Sequence, residues 1–248
     1  MILNLEHCSL LIGQKQLIND LSLSIAPGTV HALMGPNGSG KSSLAHAIMG
    51  VPGPIITQGT IRFNGIDSND LPIHKRAQQG IFLVFQHPYE IPGVTVRTFL
   101  KEAYQARTGQ HISVSDFSTM LYQAMDRLQM DRSYADRAVN DGFSGGEKKR
   151  LELLQAMVLK PELLLIDEID SGLDVDALKL VAHALGQLRT ELPQMAIIII
   201  THYPRILEYI PVDAVHVLSE GTVHSYAGTA IITEIEQKGY ALFSQDRS

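Results

Sequence analysis

Residues 35–42 read GPNGSGKS and fit the pattern G-x-x-x-x-G-K-[S/T] at every fixed position. The apolar stretch before them, at 29–34, predicts a strand, and the stretch after them predicts a helix that ends near Gly50. A glycine-rich loop between a strand and a helix turns its backbone N–H groups towards a phosphate. The loop therefore predicts a sheet flanked by helices and indicates a phosphate-binding site.

The rest of the chain alternates between strand and helix patterns. An amphipathic helix is predicted around 178–188, where leucines, valine and alanine recur at helical spacing. Further strands are predicted at 21–25 (LSLSI), 81–85 (IFLVF), 163–167 (LLLID) and 195–200 (MAIIII). Nearly continuous apolar strands between amphipathic helices are typical of a mostly parallel sheet covered on both faces, so the predicted fold class is α/β.

The segment between the predicted strands at 81–85 and 163–167 has a different period. Residues 87–94 read HPYEIPGV, where two prolines and a glycine predict a loop without regular structure. From about Thr95 to Lys160 the apolar residues recur at helical spacing. We expect one domain over 1–248, with an α/β lobe from 1–94 and 160–248 and an inserted helical subdomain at 95–159.

Composition excludes several classes of protein. The 248 residues are 45% hydrophobic, which is far from the composition of disordered chains. No apolar stretch approaches the ~18 residues that would span a bilayer, and the N-terminus lacks the pattern of a secretory signal. The net charge of −6, without a long basic run, argues against a nucleic-acid partner. We expect a cytoplasmic protein that is not itself inserted in a membrane.

The loop motif assigns candidate nucleotide-binding residues. Lys41 is expected to reach the β- and γ-phosphates, and the Ser42 hydroxyl to face Mg²⁺. Ser43 follows in the predicted helix, where the pattern by itself gives it only a packing role. The full set of candidates in this stretch is Gly35, Pro36, Asn37, Gly38, Ser39, Gly40, Lys41, Ser42 and Ser43.

A second candidate site follows the strand at 163–167. Four apolar residues place Asp167 at the carboxyl end of a buried parallel strand, where open α/β sheets bind ligands. Asp167 is a candidate metal ligand, and Glu168 a candidate for polarising a water molecule that attacks the γ-phosphate. The alternative is that both carboxylates merely end a strand.

Residues 143–150 read FSGGEKKR, in which Ser144 and Glu147 form a capping-box pattern that opens a helix. Gly145 and Gly146 leave the first amides of that helix uncovered, and a bare helix N-terminus attracts anions. Taken alone, the segment is equally well explained as an ordinary capped helix whose KKR run is a solvated face.

The whole series resembles that of ABC-type ATPases. FSGGE resembles their LSGGQ signature, Gln86 their Q-loop glutamine, 171–174 (SGLD) their D-loop and His202 their switch histidine. Without that order, a histidine after a buried strand is more often a turn or core residue. The resemblance implies an ATPase with a RecA-like P-loop core, an N-terminal antiparallel β portion and an inserted helical subdomain.

The resemblance also implies how the site works. It implies that Lys41, Glu168 and His202 are catalytic and that Ser42, Gln86 and Asp167 bind the metal. In that family two protomers sandwich two ATP molecules head to tail, so the signature of one protomer faces the phosphate loop of the other. The residues that would contact nucleotide in this way are Ser144, Gly145, Gly146 and Glu147.

Several stretches are similar to one branch of the family, the SufC-like ATPases of SUF iron–sulfur cluster assembly. They are 86–94, 143–155, 167–178 and 201–207. The similarity implies ATP and Mg²⁺ as cofactors, a transient ATP-dependent self-dimer, and SufB- and SufD-like scaffold proteins as partners. The chain itself is not expected to hold a cluster, because Cys8 is its single cysteine.

The partner contact is predicted at the loop 89–94, where Tyr89, Ile91 and Pro92 are candidate apolar anchors. These side chains could instead pack within the loop itself. Two other functions remain open: the ATP-binding subunit of a membrane ABC transporter, and a nucleotide-clamped assembly factor that needs little turnover.

Overall fold

The computed structural model describes residues 1–202 and 204–243. Within these ranges the strands form a six-stranded, largely parallel sheet, a four-stranded antiparallel sheet and a two-stranded pair. In chain order they are β1 (Leu3–Ile12), β2 (Lys15–Ile25), β3 (Val30–Met34), β4 (Pro54–Phe63), β5 (Ile66–Asp67), β6 (Ile81–Val84), β7 (Ile91–Thr95), β8 (Ala138–Val139), β9 (Leu163–Asp167), β10 (Ala196–Ile200), β11 (Ala214–Ser219) and β12 (Thr222–Ala227). The predicted α/β class is confirmed. Tyr203, inside the stretch 201–207, lies outside the described residues.

The described residues include α-helices at the three places where helical spacing was predicted and two more, at 73–79 and 230–238, that the spacing did not predict. The helices are α1 (Lys41–Met49), α2 (Ile73–Gln79), α3 (Val96–Thr108), α4 (Val114–Arg127), α5 (Gly145–Leu159), α6 (Val175–Glu191) and α7 (Ala230–Lys238). Short 3-10 turns lie at Arg132–Asp136, Pro204–Glu208 and Gly239–Phe243. Over the described ranges, no helix combines the length and the apolar character needed to cross a bilayer. The division into an α/β lobe and a helical subdomain stays a prediction.

The order of the large sheet, β12-β11-β3-β10-β9-β6, determines which loops meet. Strand β10 lies between β3 and β9 and is parallel to both, with Ile200 opposite Leu33 on one side and Asp167 on the other. Strand β6 is parallel to β9. The loops that follow β3, β6, β9 and β10 therefore leave the sheet at one edge, which is where open α/β sheets bind ligands.

The large sheet is buried on both faces, as strand β9 shows. Leu163 and Leu165 belong to a core shared with α1 and the antiparallel sheet. Leu164 and Ile166 belong to a core shared with α3, α4, α5 and α6. Because neither face meets water, the strand is continuously apolar instead of alternating.

The prediction of an irregular loop over 87–94 was wrong at its end, because Ile91–Thr95 forms β7. This strand pairs antiparallel with β8, Ile91 opposite Val139 and Thr95 opposite Ala138. The register shifts between these two pairs. Pro92 and Gly93 fall at that irregularity, where a missing N–H is tolerated.

Candidate functional site

The phosphate loop is held tightly at its start. Gly35 has a φ of 149°, and a Cβ placed on it would lie 2.2 Å from the carbonyl oxygen of Leu218 at the end of β11. At the other end of the loop Gly40 is the N-cap of α1, with a φ of 109° and no side-chain cap. The first amides of α1 are therefore not covered by a cap and form an anion-binding position.

Lys41 points back into this loop. Its Nζ donates to the carbonyl oxygens of Gly35 at 2.8 Å and Pro36 at 2.9 Å, and the side chain is buried. Burial lowers the pKa of Lys41, and the nearby carboxylates of Glu168 and Asp167 partly offset that effect. The ammonium group is thus placed among loop carbonyls with two carboxylates close by.

Ser42 and Asp167 form the link between the phosphate loop and β9. The Ser42 hydroxyl donates to Asp167 Oδ1 at 3.1 Å. Asp167 is almost fully buried, and burial raises its pKa, while the Ser42 hydrogen bond acts in the opposite direction. A hydroxyl and a buried carboxylate at hydrogen-bond distance provide neighbouring oxygen ligands of the kind that Mg²⁺ binds.

Glu168 adopts an unusual backbone conformation directly after β9. Its φ is 46°, in the left-handed region, and its N–H donates to the carbonyl of Ile200 at 3.0 Å. Its carboxylate accepts from Gln86 Nε2 at 2.6 Å and lies 3.2 Å from His202 Nδ1. The structure thus brings together the three side chains that follow β6, β9 and β10.

Several of these groups line a cavity of about 470 Å³, to which neither Gly35 nor the buried Asp167 contributes. Its lining residues are Leu17, Asn37, Gly38, Gly40, Lys41, Ser42, Ser43, Gln86, Glu168 and His202. Pro36 and Ser39 instead line an adjoining cavity of about 770 Å³, which Asn37 and Gly38 also line. Leu17, on β2, was not predicted as a site residue, since nothing in the sequence near it marks a contact with the loop.

The signature segment lies elsewhere on the protomer. The residues 144–147, all within the described part of the chain, contribute nothing to the lining of the phosphate-loop cavity. Ser144 is the N-cap of α5: its hydroxyl accepts from the N–H of Glu147 at 3.4 Å, and Glu147 Oε2 accepts from the N–H of Ser144 at 2.7 Å. The predicted capping box is therefore present.

The cap leaves the start of α5 open. A Cβ added at Gly145 or Gly146 would meet nothing within 4 Å. The hydroxyl of Tyr134 donates to Glu147, and this bond, with those from Ser144, lowers the pKa of the Glu147 carboxyl to about 2. Glu147 is occupied by the cap, while the two glycines present an uncovered surface.

The alternative that the KKR run is a solvated face does not hold at Lys149. This side chain is buried, and its Nζ donates to the carbonyl oxygens of Glu168, at 3.5 Å, and Ser171. A signal was present in the sequence: Lys149, Glu152 and Gln155 recur every three residues in a helix that is otherwise apolar over 151–158. Such a polar stripe indicates side chains that face polar partners inside the fold.

Comparison with known proteins identifies the family. A family model described as "ABC transporter" matches residues 18–171. A probable ABC transporter ATP-binding protein of Streptococcus pyogenes serotype M3 is 44% identical over 247 residues, which cover 99% of this chain and 96% of that protein. A probable ATP-dependent transporter of Synechocystis is 42% identical over 243 residues, covering 96% of this chain and 94% of that protein.

The fold agrees with solved structures of the same kind. A dimeric ATP-binding cassette in a post-hydrolysis state, bound to ADP and phosphate, superposes with a TM-score of 0.79 at 20% identity and covers 91% of this chain and 98% of that one. A nucleotide-free cassette of an ABC transporter gives a TM-score of 0.76 at 22% identity, covering 99% of both chains. The chain belongs to the ABC transporter family and is one of its ATPases.

Proposed function

We propose that the chain is a SufC-like ATPase, which hydrolyses ATP in a head-to-tail dimer and thereby changes the arrangement of SufB- and SufD-like scaffold proteins during iron–sulfur cluster assembly. One observation carries the proposal of a dimer. The phosphate-loop cavity and the open N-terminus of α5 are separate surfaces of one protomer. A second copy related by a two-fold axis would bring each surface against the other.

Within the cavity, each side chain has a distinct task in hydrolysis. The loop amides and the Lys41 ammonium neutralise the phosphate charge. The Glu168 carboxylate accepts a hydrogen bond from the attacking water and draws its proton away. Gln86 and His202, which bond the two oxygens of Glu168, hold that carboxylate in one orientation.

The same cavity fits Mg²⁺. Ser42 and Asp167 would hold the ion, since their oxygens lie 3.1 Å apart, and the amide oxygen of Gln86 is a third candidate ligand on the cavity wall. A bound Mg²⁺ supplies positive charge that stabilises the negative charge on the phosphate oxygens. The role of the chain is to keep the Ser42 hydroxyl and the Asp167 carboxylate in place.

The amides of Gly145 and Gly146 are proposed to complete the site from the partner protomer, since the N–H of Ser144 is already bonded to Glu147. A helix N-terminus carries partial positive charge, and here two glycines leave it accessible. Hydrolysis removes the γ-phosphate that both protomers would hold, so the dimer would open after each turnover. That opening is the movement delivered to the partners.

The segment 89–94, which runs from a loop into β7, is proposed as the partner contact. The Tyr89 side chain is 74% exposed, although its ring packs edge-on against Phe85 at 5.8 Å. Besides the pairing of β7 with β8, Asn140 Nδ2 donates to the Tyr89 carbonyl at 2.8 Å, and Lys148 on α5 pairs with Glu90 at 2.7 Å. A movement of α5 or of Gln86 would thus reach an exposed aromatic side chain.

The surroundings of Cys8 support the expectation that scaffold proteins, and not this chain, hold the iron–sulfur cluster. Its thiol is buried, and its Sγ lies against the carbonyls of Glu6 and Thr60. Burial raises the pKa of Cys8, which disfavours the thiolate that iron ligation needs. The cluster is therefore assigned to the partners.

The test is co-purification from the native cell together with surface variants. We expect SufB- and SufD-like chains to copurify with the unaltered protein and to be lost from the variant Tyr89→Asp. The control, Val114→Asp, changes another side chain that is 62% exposed, at the start of α4. Retention of both partners by Tyr89→Asp would exclude this contact, and copurification of a multi-span permease would favour the alternative below.

The alternative function is the ATP-binding subunit of a membrane transporter. The names of the Streptococcus and Synechocystis relatives favour it, since both are described as transporter components. The two functions share the same hydrolytic site and differ only in what the dimer moves. The identity of the copurifying chains therefore distinguishes them.

A further inference from the structure

Glu152 is a buried carboxylic acid in the middle of α5, and hydrolysis as described above does not use it. Its relative exposure is 5%, and its neighbours along the helix, Leu151, Leu153 and Leu154, are buried apolar residues. Burying a carboxylate among apolar side chains costs several kcal/mol unless it is hydrogen-bonded. Helix α5 therefore contains, between buried leucines, a polar side chain that needs specific hydrogen-bond partners.

Both oxygens of Glu152 have such partners. Oε2 accepts from the backbone N–H of Phe85 at 3.4 Å, and Oε1 accepts from Nε2 of Gln155 at 2.7 Å. Gln155 lies one turn further along α5 and is also buried. Of these two hydrogen bonds, the one from Phe85 connects Glu152 to a residue outside α5.

The position of Phe85 in the chain links Glu152 to the phosphate-loop cavity. Phe85 is the first residue after β6 and directly precedes Gln86, whose Nε2 donates to Glu168 Oε2 at 2.6 Å. Helix α5 begins at the other end with the signature segment capped by Ser144. Glu152 thus connects the helix that carries the signature with the loop that orients the hydrolytic carboxylate.

We infer that Glu152 is a positioning residue, which ties helix α5 to the end of β6 so that Gln86 stays directed at Glu168 and moves together with the signature segment. The inference rests on the roles proposed above for Gln86 and Glu168. It predicts that Glu152 acts on the rate of hydrolysis and not on the binding of nucleotide, because its hydrogen bonds go to Phe85 and Gln155, outside the phosphate loop.

The protonation of Glu152 provides a second test, through the dependence of the hydrolysis rate on pH. Burial raises the pKa of Glu152 to about 7, against the opposing effect of the Phe85 and Gln155 hydrogen bonds. A proton on Oε2 would face the N–H of Phe85 and break the tie, and a neutral carboxylic acid accepts a hydrogen bond more weakly than a carboxylate does. The tie should therefore hold above pH 7 and weaken below it.

The other titratable groups near this tie lie on three elements. Lys149, on the same helix, bonds to the backbone carbonyl of Glu168. His46, on α1, packs its ring 6.0 Å from that of Phe85. Asp167 and Glu168 lie at the end of β9, the neighbour of β6. A substitution that removes only the ionisable group of Glu152 separates its titration from theirs.

The experiment uses full-length protein with ATP and Mg²⁺ and three variants. Glu152→Leu removes the acceptor, Glu152→Gln keeps an amide oxygen without the charge, and the control Leu153→Ala opens a void in the same helix. We expect Glu152→Leu to lower kcat at least tenfold with ATP affinity within twofold of the unaltered protein. Leu153→Ala should keep kcat within about twofold even though its Tm falls.

The variant Glu152→Gln, which is neutral at every pH, should have at pH 8 about the kcat that the unaltered protein has at pH 6, and it should lose the decline in rate between pH 8 and pH 6 that the unaltered protein shows. The double variant Gln86→Ala/Glu152→Leu should be no slower than Gln86→Ala alone, because both changes remove the same orientation of Glu168. Equal kcat for Glu152→Leu and Leu153→Ala, an unchanged pH profile in Glu152→Gln, or additive losses in the double variant would each overturn the inference.

The variant Glu168→Gln separates this inference from the proposed function. If Glu168→Gln hydrolyses ATP at the normal rate, the proposed hydrolytic role of Glu168 fails. If Glu168→Gln is inactive while Glu152→Leu is fully active, only the positioning role of Glu152 fails.

Discussion

At the scale of single residues, the Glu168 carboxylate is contacted at both oxygens, by Gln86 at one and by His202 at the other. Gln86, Glu168 and His202 each follow a predicted strand, and parallel strands end at a common edge, so their proximity was predictable. The left-handed backbone of Glu168 and its contacts with Gln86 and His202 were not predictable. Both depend on packing between segments that are far apart in the chain.

Glu168 supports the first prediction. The substitution Glu168→Gln should lower the rate of phosphate release by about 10²- to 10⁴-fold, because an amide cannot draw the proton from water. ATP affinity should be retained, since the phosphate loop is unaltered. Single-turnover phosphate release and equilibrium nucleotide binding measure the two effects; a loss of both together would contradict the assignment.

Gly35 supports the second prediction. An alanine there has its Cβ 2.2 Å from the Leu218 carbonyl, so Gly35→Ala should lower the free energy of unfolding by about 1–3 kcal/mol or more and weaken nucleotide binding. The control is Gly186→Ala in α6, where a Cβ meets nothing within 4 Å. That change should raise the free energy of unfolding by about 0.5–1 kcal/mol. Urea titration of both variants measures the difference.

At the scale of elements, local patterns predicted the strands that precede the site residues, β3, β6, β9 and β10, and failed where distant segments decide. Helix α1 ends at Gly50, as its sequence indicated. Strand β7 was missed because it exists through its pairing with β8, more than forty residues later in the chain. The burial of Lys149 depends likewise on the carbonyls of the loop that follows β9. Neither partner can be recognised from the neighbouring sequence.

The cap of α5 supports the third prediction. Ser144→Ala removes a hydroxyl that accepts a helix N–H and should lower the free energy of unfolding by about 0.5–2 kcal/mol. Ser113→Ala is a matched control, because Ser113 caps α4 through the N–H of Asp116 at 3.1 Å. Both variants should lose similar stability, but only Ser144→Ala should also lose ATPase activity. Equal activities would place Ser144 outside the nucleotide site.

At the scale of the whole molecule, the separation of the two surfaces supports the fourth prediction. Lys41→Ala damages the phosphate loop and Gly146→Asp damages the signature surface, so each variant alone should be nearly inactive. In an equal mixture, half of the dimers are mixed and each of these has one complete site. ATPase activity should therefore return to about a quarter of the unaltered rate. A mixture that stays inactive would contradict the head-to-tail arrangement.

The location of the signature segment on a surface apart from the phosphate loop has a genetic consequence. In the proposed dimer, a chain that carries Lys41→Ala and Gly146→Asp together spoils both sites of any dimer it joins, since it supplies a defective half to each. Expressed beside the unaltered gene, this double variant would behave as a dominant inhibitor, whereas either change alone would leave one site in the mixed pair able to work.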